Sequence, residues 1–359
     1  MSNSESTGQA SSPLRIGVIG CGAIAQRRHI CEAAANKNAK IVALCDINLD
    51  RAKEIAAKYG VANTYADYKD LLKNEKLDLV VVATPNALHA EQTIAALQAG
   101  NHVLVEKPMA TTLADADAMI AAADKAGKKL MVGMNQRLMP AHVKAKKILD
   151  SGVLGKVLNF ETSFKHGGPD GWSVDGAKSW FFKKPLAAMG VCGDLGVHKV
   201  DLINYLLGQR ITSVTGFIGT LSKKLPGATS LIEVDDTAFL TVKTEGGAIG
   251  AVDISWTHYG HAEDNGTTIY CENGVIEMGR HPDYTVVVHH GDGTKEFHKT
   301  GAASTNTSQK SSGVIDSFID AIQNGREPLI TGRDGKRALG VILAAFEAAA
   351  SGRTSQLTE

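Results

Sequence analysis

Apolar residues in the first third of the chain fall into short runs that alternate with amphipathic stretches. The run Leu79–Ala83 is apolar throughout, as is typical of a strand buried on both faces. The amphipathic stretches end at Gly60, Gly100 and Gly127, and Thr112 is a candidate N-cap. This alternation predicts a doubly wound parallel sheet with helices on both faces. The predicted strands are 14–19, 40–45, 62–65, 77–83, 102–105 and 129–133, and the predicted helices include 49–59, 87–99 and 113–126.

The pattern changes after Pro140, where extended stretches follow one another without helices between them. Turn signals stand at 245–247 and 273–274, which is typical of hairpins. We therefore expect an open, mostly antiparallel sheet that helices pack on one face. Its predicted strands are 156–164, 213–219, 236–244, 248–256, 267–271, 275–278 and 284–289, with helices at 141–150, 197–207, 314–324 and 334–351.

These patterns divide the chain into three parts. Residues 1–13 are rich in serine and lack an apolar core, so we expect a disordered tail rather than a signal peptide. Residues 14–135 form the predicted α/β Rossmann domain, and residues 136–359 form a predicted substrate-binding and oligomerisation domain of α+β type.

A glycine motif follows the first predicted strand. Gly20-Cys-Gly22-Ala-Ile-Ala25 has the spacing G-x-G-x-x-A, and Asp46 ends the next strand. Gly20 permits a tight turn, Gly22 admits a pyrophosphate close to the backbone, and Asp46 accepts hydrogen bonds from a ribose. Small residues also serve plain helix–strand packing, but strand, loop, helix, strand and acid in this order predict a dinucleotide site. Ala23 and Ile24 at the helix start are expected to contact the phosphates.

The acid predicts NAD rather than NADP. A 2′-phosphate about 4 Å from Asp46 would be repelled by about 4 kcal/mol per unit charge pair at an effective dielectric constant near 20. Ile47 and Asn48 supply no compensating cation, although Arg51 lies within reach of the same site.

Composition narrows the class of protein. The 359 residues are 43% hydrophobic and 21% charged, and 38 basic side chains balance 38 acidic ones, which argues against a polyanionic or membrane partner. The five cysteines are scattered without a C-x-x-C pair, so we expect free thiols and a cytoplasmic protein. The histidines between 258 and 298 match no compact ligand spacing, and we predict no metal site.

Polar residues follow the fourth and fifth predicted strands, where ligands of open parallel sheets bind. Thr84-Pro85-Asn86 follows the fourth strand and Glu106-Lys107-Pro108 the fifth, so Lys107 is expected near the nicotinamide. In the second domain, Asp194 and His198 are four residues apart and would share a helix face. Each has an ordinary alternative: a surface lysine paired with Glu106, and a helix-start acid beside a packed histidine.

Together these motifs resemble the Gfo/Idh/MocA oxidoreductases, which include glucose–fructose oxidoreductase and inositol dehydrogenases. The resemblance rests on the glycine motif, Thr84-Pro85-Asn86, Glu106-Lys107-Pro108 and Asp194-x-Gly-x-His198-x-x-Asp, and it covers the chain from Leu14 onward. It implies a catalytic Lys107, Asp194 and His198, and a junction segment, Asn135 to Arg137, near substrate and nicotinamide. The expected cofactor-binding residues are Gly20, Gly22, Ala23, Ile24, Asp46, Arg51, Thr84, Pro85, Asn86, His89, Glu106, Lys107 and Asn135.

The expected substrate contacts come mainly from the second domain. Lys165 and His166 end its first strand and could bind hydroxyl groups, and an aromatic ring such as Trp172 suits the face of a sugar. Trp172, Trp180 and Trp256 could equally be core anchors. The substrate-binding prediction is Lys107, Arg137, Lys165, His166, Trp172, Asp194 and His198.

Two positions depart from the resemblance. Many family members carry three glycines before the acid–histidine motif, where this chain has Met189-Gly-Val-Cys-Gly193. Lys199 directly follows the histidine, at a position that is often small in the family. Both departures concern the expected sugar contacts.

The leading prediction is an NAD-dependent oxidoreductase that oxidises a secondary hydroxyl of a sugar, glycoside or cyclitol, including C3 of a glycoside before cleavage. His198, oriented by Asp194, is the candidate base, and Lys107 is the alternative. Other possibilities are a hydrolase that uses transient oxidation by bound NAD, and a non-catalytic NAD-binding regulator, against which Lys107, Asp194 and His198 together argue. A nucleotide sugar is a further possible substrate, although no concentrated basic patch supports it.

A one-sided sheet also predicts self-association. Its open face needs cover, and in the family that face joins subunits into homodimers and tetramers. Phe239, Ile249 and Val252 are the candidate contacts on that face.

Overall fold

The computed structural model describes residues 12–301 and 311–357, which form two sheets with their helices. Nearly all of the predicted tail, residues 1–13, lies outside the described residues. Within the described part of the chain, none of the helices is long and apolar enough to cross a bilayer.

The first sheet is a six-stranded parallel sheet with the order β3-β2-β1-β4-β5-β6. Its central strand β4 is buried at all four positions, as its continuous apolar sequence predicted. The sheet confirms the predicted Rossmann arrangement and brings the carboxyl ends of β1, β4 and β5 to one edge. The strands are β1 (Leu14–Ile19), β2 (Ala39–Cys45), β3 (Asn63–Tyr65), β4 (Leu79–Val82), β5 (His102–Val105) and β6 (Leu130–Val132).

We call the part of the molecule that contains the parallel sheet the first half, and the part that contains the nine-stranded sheet the second half. Local capping explains where the helices of the first half begin and end. The side chains of Asn48 and Thr112 accept hydrogen bonds from backbone amides three residues on, at the starts of α2 and α5. Gly60 and Gly127 end the same helices in the left-handed conformation. The helices are α1 (Ile30–Ala35), α2 (Leu49–Tyr59), α3 (Tyr68–Asn74), α4 (His89–Gln98) and α5 (Leu113–Ala126).

The second sheet has nine strands in the order β14-β13-β12-β11-β7-β10-β9-β8-β15. All of its pairs are antiparallel except β7 with β10, which agrees with the predicted mostly antiparallel sheet. Its two edge strands, β14 and β15, were not predicted from the sequence pattern, and they are only four and two residues long. The strands are β7 (Val157–Lys165), β8 (Ile211–Gly219), β9 (Thr237–Thr244), β10 (Ile249–Ser255), β11 (Thr267–Cys271), β12 (Gly274–Met278), β13 (Val286–His290), β14 (Lys295–His298) and β15 (Ser355–Gln356).

Alternating burial shows which face of this sheet the helices cover. In β9, buried positions alternate with the exposed Phe239, Thr241 and Lys243. In β10, Ile249 is exposed but Val252 is completely buried. The prediction that Val252 belongs to the open face is therefore wrong, because residues three apart in a strand point to opposite faces.

The helices that accompany the second sheet also reach the first one. The longest of them, α10, packs on α5, α8 and β8, and Thr331, just before it, forms an antiparallel bridge with Met131 of β6. The predicted domain boundary at residue 135 stays a prediction, because the C-terminal segment contacts both sheets. The helices are α6 (Pro140–Asp150), α7 (Lys184–Ala187), α8 (Val197–Leu207), α9 (Val314–Gln323) and α10 (Gly332–Ser351).

Candidate active site at the junction of the two sheets

The glycine loop after β1 is held against the end of β4. Gly20 has φ of +94°, and a Cβ there would lie 2.4 Å from the carbonyl oxygen of Ala83, so this position requires glycine. A Cβ on Gly22, by contrast, would have no neighbour within 4 Å among the described residues. The loop therefore leaves open space beside Gly22, where the sequence motif places a pyrophosphate.

The helix that follows begins with its amides facing this space. Ala23 and Ile24 form its first turn, and the amide of Gln26 donates to the carbonyl of Gly22. Residues Ala25–His29 have π-helical geometry before α1 continues the helix. Amides at a helix start lack intrahelical partners and carry partial positive charge, so this end fits an anionic ligand.

Asp46 is fixed at the end of β2 by backbone amides. One carboxylate oxygen accepts from the amide of Cys21 at 2.8 Å, and the other accepts from the amide of Asn48 at 2.8 Å. Arg51 lies 3.8 Å from the same carboxylate. Asp46, the residue predicted to bind a ribose, thus lies beside the glycine loop, and Arg51 lies next to it.

Glu106 is buried at the end of β5 and is held from within the first half. Its Oε1 lies 2.8 Å from Nε2 of His29, and its Oε2 accepts from the amide of Lys107 at 3.1 Å. Burial opposes ionisation, but the hydrogen bond and charge of His29, together with the charge of Lys107, lower the pKa of Glu106 to about 2. Because both carboxylate oxygens hold groups of the protein, Glu106 positions this turn, and its contact with the cofactor stays a prediction.

Lys107 reaches from the first half to the second. Its Nζ donates to Oδ1 of Asp194 at 2.7 Å and to the backbone carbonyl of Asp194 at 2.9 Å. The second carboxylate oxygen of Asp194 accepts from Nε1 of the completely buried Trp256 at 3.1 Å. Burial would raise the pKa of Asp194, but the charges of Lys107 and His166 lower it below its ordinary value. Asp194 is thus an ionised anchor for the Lys107 ammonium.

The expected pairing of Asp194 with His198 is not formed. Asp194 lies in a π-helical segment, Cys192–Gly196, that precedes α8, and its carboxylate is directed to Lys107 and Trp256. Both carboxylate oxygens of Asp194 are thus held by the Lys107 ammonium and the Trp256 indole, and neither accepts from the imidazole of His198. The structure contradicts the prediction that Asp194 fixes the tautomer of His198.

His198 is a buried histidine beside Lys107 and Asp194. It is 5% exposed, and its Nδ1 has no hydrogen-bond partner in the described part of the chain. Burial and the nearby Lys107 hold the pKa of His198 well below its ordinary value, so the ring is neutral at pH 7. A buried polar nitrogen without a partner is costly, which marks His198 as a site for a ligand hydroxyl or water.

His166 joins the cluster from the end of β7. Its Nδ1 accepts from the amide of Gly168 at 2.9 Å, which leaves the proton of a neutral ring on Nε2. That Nε2 lies 3.8 Å from Oδ2 of Asp194, and the ring packs edge-on against Phe164. His198 lies on the same aromatic ring, so the two histidines flank Phe164. The structure therefore brings His166 together with Lys107, Asp194 and His198.

Lys165 and Arg137 lie outside this cluster. Lys165 forms an ion pair with Asp253 and lies over the exposed ring of Phe239, on the open face of the second sheet. Arg137 donates two hydrogen bonds to Asp201, at 2.8 and 2.6 Å, in a buried ion pair. Each cation is engaged by a carboxylate outside the cluster, so the structure does not bring Lys165 or Arg137 to it, and their substrate contacts stay predictions.

The Thr84–Asn86 turn and His89 mainly brace the site. Both ring nitrogens of His89 face backbone carbonyls, those of Thr84 at 2.9 Å and Pro108 at 2.8 Å. His89 therefore joins the turns after β4 and β5, and its contact with the cofactor stays a prediction. The side-chain Nδ2 of Asn86 donates to the carbonyl of Ala187 at 2.9 Å, which links the turn to the second half. Pro85 stands at the N-cap of the short helix 86–88, and the Thr84 hydroxyl donates to Gln92.

Asn135 is the buried polar residue best placed for a ligand at the junction. It is 1% exposed, and neither polar atom of its side chain has a partner in the described ranges. An amide with two unmet hydrogen-bonding groups fits another amide, such as the carboxamide of nicotinamide. With the open space at Gly22 and the fixed Asp46, these residues fit a dinucleotide.

The aromatic loop between β7 and α7 is packed on itself. Trp172 meets the ring of Phe181 edge-on with centroids 5.1 Å apart, and Trp180 stacks on Phe181 at 3.9 Å. Trp172 remains half-buried, so a sugar contact stays a prediction, whereas Trp256 is a core residue.

The sequence did not predict the site roles of two residues, His29 and Trp256. His29 and Trp256 position Glu106 and Asp194 through contacts that no local pattern announces. Lys199 is completely buried, with its ammonium 5.8 Å from the ring centroid of Phe164, and burial lowers its pKa to about 7. In the described residues, no group of three or more His, Cys, Asp or Glu side chains could hold a metal ion.

Comparisons with known proteins agree with this architecture. Residues 14–134 match a family described as the oxidoreductase family with an NAD-binding Rossmann fold, and residues 142–277 match the GFO/IDH/MocA C-terminal domain. The levoglucosan dehydrogenase of Pseudarthrobacter phenanthrenivorans is 30% identical over 279 residues, which are 70% of this chain and 69% of that protein. The D-apiose dehydrogenase of Paraburkholderia graminis is 31% identical over 353 residues, which are 95% of this chain and 88% of that protein.

A solved structure of a levoglucosan dehydrogenase in complex with NADH and levoglucosan shows the same fold. It has a TM-score of 0.84 and 26% sequence identity, and the match covers 97% of this chain and all of that one.

Proposed function

Since the chain belongs to the Gfo/Idh/MocA family of oxidoreductases, we propose that it oxidises a secondary hydroxyl of a sugar, glycoside or cyclitol with NAD. The observation that carries the proposal is the contact between the two halves. The Lys107 ammonium is held by Asp194 beside His198, whose Nδ1 has no partner among the described residues. Removal of a hydroxyl proton needs a neutral base, here the imidazole of His198, and a cation that stabilises the developing negative charge, here Lys107.

Bound NAD supplies the hydride acceptor for this reaction. Loss of hydride from a carbinol carbon leaves a cation unless the hydroxyl proton also departs, so a base must stand within about 3 Å of that oxygen. His198 takes this proton at its free nitrogen, because its lowered pKa keeps the ring uncharged before the reaction. Lys107 donates a hydrogen bond to the same oxygen and stabilises the negative charge that develops there.

Asp194 positions the lysine in this scheme. It accepts two hydrogen bonds, one from Lys107 and one from Trp256, and its own backbone carbonyl accepts another from Lys107. These contacts leave Lys107 one further N–H for a substrate oxygen. His166, with its proton on Nε2, is a second donor for a neighbouring hydroxyl of the substrate.

The substrate class follows from the relatives. One matched relative is named for levoglucosan, a sugar, and another for D-apiose. We infer that the substrate is a neutral carbohydrate or cyclitol, because Asp194 already neutralises the Lys107 ammonium at the centre of the cluster.

A substrate panel tests the proposal. The protein is mixed with NAD and, separately, with aldoses, anhydrosugars, glycosides and inositols, and NADH is followed by its absorbance. We expect NADH formation with at least one neutral polyol and its loss in Lys107→Ala. Cleavage of a glycoside without net NADH would instead support the hydrolase that uses transient oxidation, and inactivity across the panel with normal NADH binding would contradict the proposal.

We further propose that the protein works in the cytoplasm as a homodimer or homotetramer. Its five cysteines are free thiols, which suits a reducing compartment. The open face of the second sheet exposes Phe217, Phe239 and Ile249 by 84%, 56% and 54%, and a second subunit would cover them. The same proposal assigns cofactor binding to residues 14–135, and substrate binding and subunit contacts to residues 136–359.

A further inference from the structure

Arg51 connects acids from the two halves of the molecule. One terminal nitrogen of its guanidinium lies 3.8 Å from Oδ2 of Asp46, and the other donates to Oδ1 of Asp175 at 2.6 Å. Asp46 follows β2 in the first half, whereas Asp175 belongs to the loop between β7 and α7 in the second half. The guanidinium is thus placed between two carboxylates that are 129 positions apart in sequence.

Both ends of this contact are held in place. The amide of Arg51 donates to the side chain of Asn48, which caps α2, so its backbone is fixed in the first turn of that helix. Asp175 is the residue before a short 3₁₀ helix, Gly176–Lys178, and its amide donates to Ser173. The loop therefore presents Asp175 to the first half at the end where Asp46 stands.

The position of Arg51 is one from which it could bind a phosphate. A guanidinium beside the ribose-binding acid is the group that pairs with the 2′-phosphate of NADP. Here its donors are directed to two carboxylates, and the local charge of Asp46, Arg51 and Asp175 adds to −1. A phosphate at this place would meet net repulsion and a guanidinium already in use.

We propose that Asp175, a residue of the second half, helps to determine the selectivity for NAD over NADP by occupying Arg51. Asp46 repels the 2′-phosphate directly, and Asp175 removes the cation that could offset that repulsion. The selectivity is therefore shared between the two halves. It concerns the dinucleotide alone and does not depend on which carbohydrate is oxidised.

Binding of the reduced dinucleotides to the full-length protein without sugar tests this proposal. The Kd values of NADH and NADPH are measured by fluorescence titration for wild type and Asp175→Asn. Because Arg51 and Asp175 are partly exposed, solvent screens their interaction, and we expect the variant to bind NADPH about tenfold more tightly. The Kd for NADH should stay within about threefold of wild type, since Asp46 keeps its backbone hydrogen bonds.

Two further variants separate the role of Arg51 from a general change of charge. Asp50→Asn removes the same charge from an exposed neighbour of Arg51 and should leave the Kd for NADPH nearly unchanged. In Arg51→Met/Asp175→Asn the gain should disappear, because the freed guanidinium is gone. An equal gain in Asp50→Asn, a gain that persists without Arg51, or no gain in Asp175→Asn while NADH still binds would each overturn the proposal.

Discussion

Glu106 and Lys107 are adjacent in sequence, yet they are held by different parts of the molecule. Glu106 is bound by His29, which belongs to the first half, whereas Lys107 is bound by Asp194 from the second half. Each partner lies in a π-helical segment at the start of a helix, Ala25–His29 and Cys192–Gly196. Such segments often occur at functional sites, because the wider turn redirects a side chain.

The contacts of Glu106 and of Lys107 have different roles. The Glu106 contact stabilises the turn that carries Lys107 and needs nothing from the second half. The Asp194 contact sets where the Lys107 ammonium points, and it forms only when both halves are docked. Changes on the first side should therefore act on the stability of the fold, and changes on the second side should act on the rate of the reaction.

The largest effect is expected from removal of the reacting groups themselves. Lys107→Ala and His198→Ala should each lower kcat by a factor on the order of 100 or more, since acid–base and charge-stabilising groups contribute about 10²–10⁴. The Kd for NADH should change little, because the glycine loop and Asp46 are intact. Single-turnover NADH formation at saturating substrate measures this, and a rate within about threefold of wild type for His198→Ala would remove it from the chemistry.

On the side of the contact between Glu106 and His29, Glu106→Gln should reduce the free energy of unfolding. The folded-state pKa of Glu106, about 2, lies below its ordinary value of 4.5, so its ionised form stabilises the fold above pH 4.5. That contribution is at most about 3 kcal/mol, and it is lost as the pH falls from 4.5 toward 2.

Denaturant unfolding at several pH values tests this expectation. The difference between wild type and Glu106→Gln should be large at pH 7 and should shrink below pH 4.5. A difference that does not vary with pH would mean that the ionised carboxylate is not what stabilises this turn.

On the side of the contact between Lys107 and Asp194, Asp194→Asn should lower kcat by about 10- to 30-fold, because the ammonium keeps a hydrogen bond but loses its ion pair. This is less than the effect of Lys107→Ala. Trp256→Phe removes the other hydrogen bond of the same carboxylate and keeps an aromatic ring of similar shape, so its loss should be smaller still.

A double-mutant cycle identifies the residue through which Asp194 acts. If it acts through Lys107, Asp194→Asn has no further effect on kcat in Lys107→Ala and keeps its full effect in His198→Ala. The reverse result would restore the pairing of Asp194 with His198 that the sequence suggested and the structure lacks.

The sequence could predict features that depend on local signals, but not contacts between residues far apart in the chain. The first half was predicted nearly strand for strand, because buried parallel strands, helix caps and the glycine motif are local signals. Lys107, Asp194 and His198 came from motifs, and the structure places all three together. The partners His29 and Trp256 were missed because their contacts join residues 77 and 62 positions from Glu106 and Asp194.

One error in the second half had a signal that was available. Ile249 and Val252 differ by three positions in a strand and cannot share a face. Lys165 and His166 are neighbours in and after β7, so their side chains point to opposite faces of the sheet. The ion pair of Arg137 had no local signal, because its partner Asp201 is set by how α8 docks against residues 135–138.

The smallest effect is expected at Lys165, and the neighbouring residue makes it informative. His166→Ala removes a donor that faces Asp194 and should raise KM by about tenfold, as expected for one lost hydrogen bond to a substrate hydroxyl. Lys165→Ala removes a cation on the open face, paired with Asp253, and should leave kcat and KM within about twofold. Steady-state kinetics at constant protein concentration measures both, and light scattering checks whether the loss of Lys165 changes subunit association on that face. A KM for Lys165→Ala that rises as much as that for His166→Ala, with association unchanged, would mean that the second half binds substrate from both faces of β7.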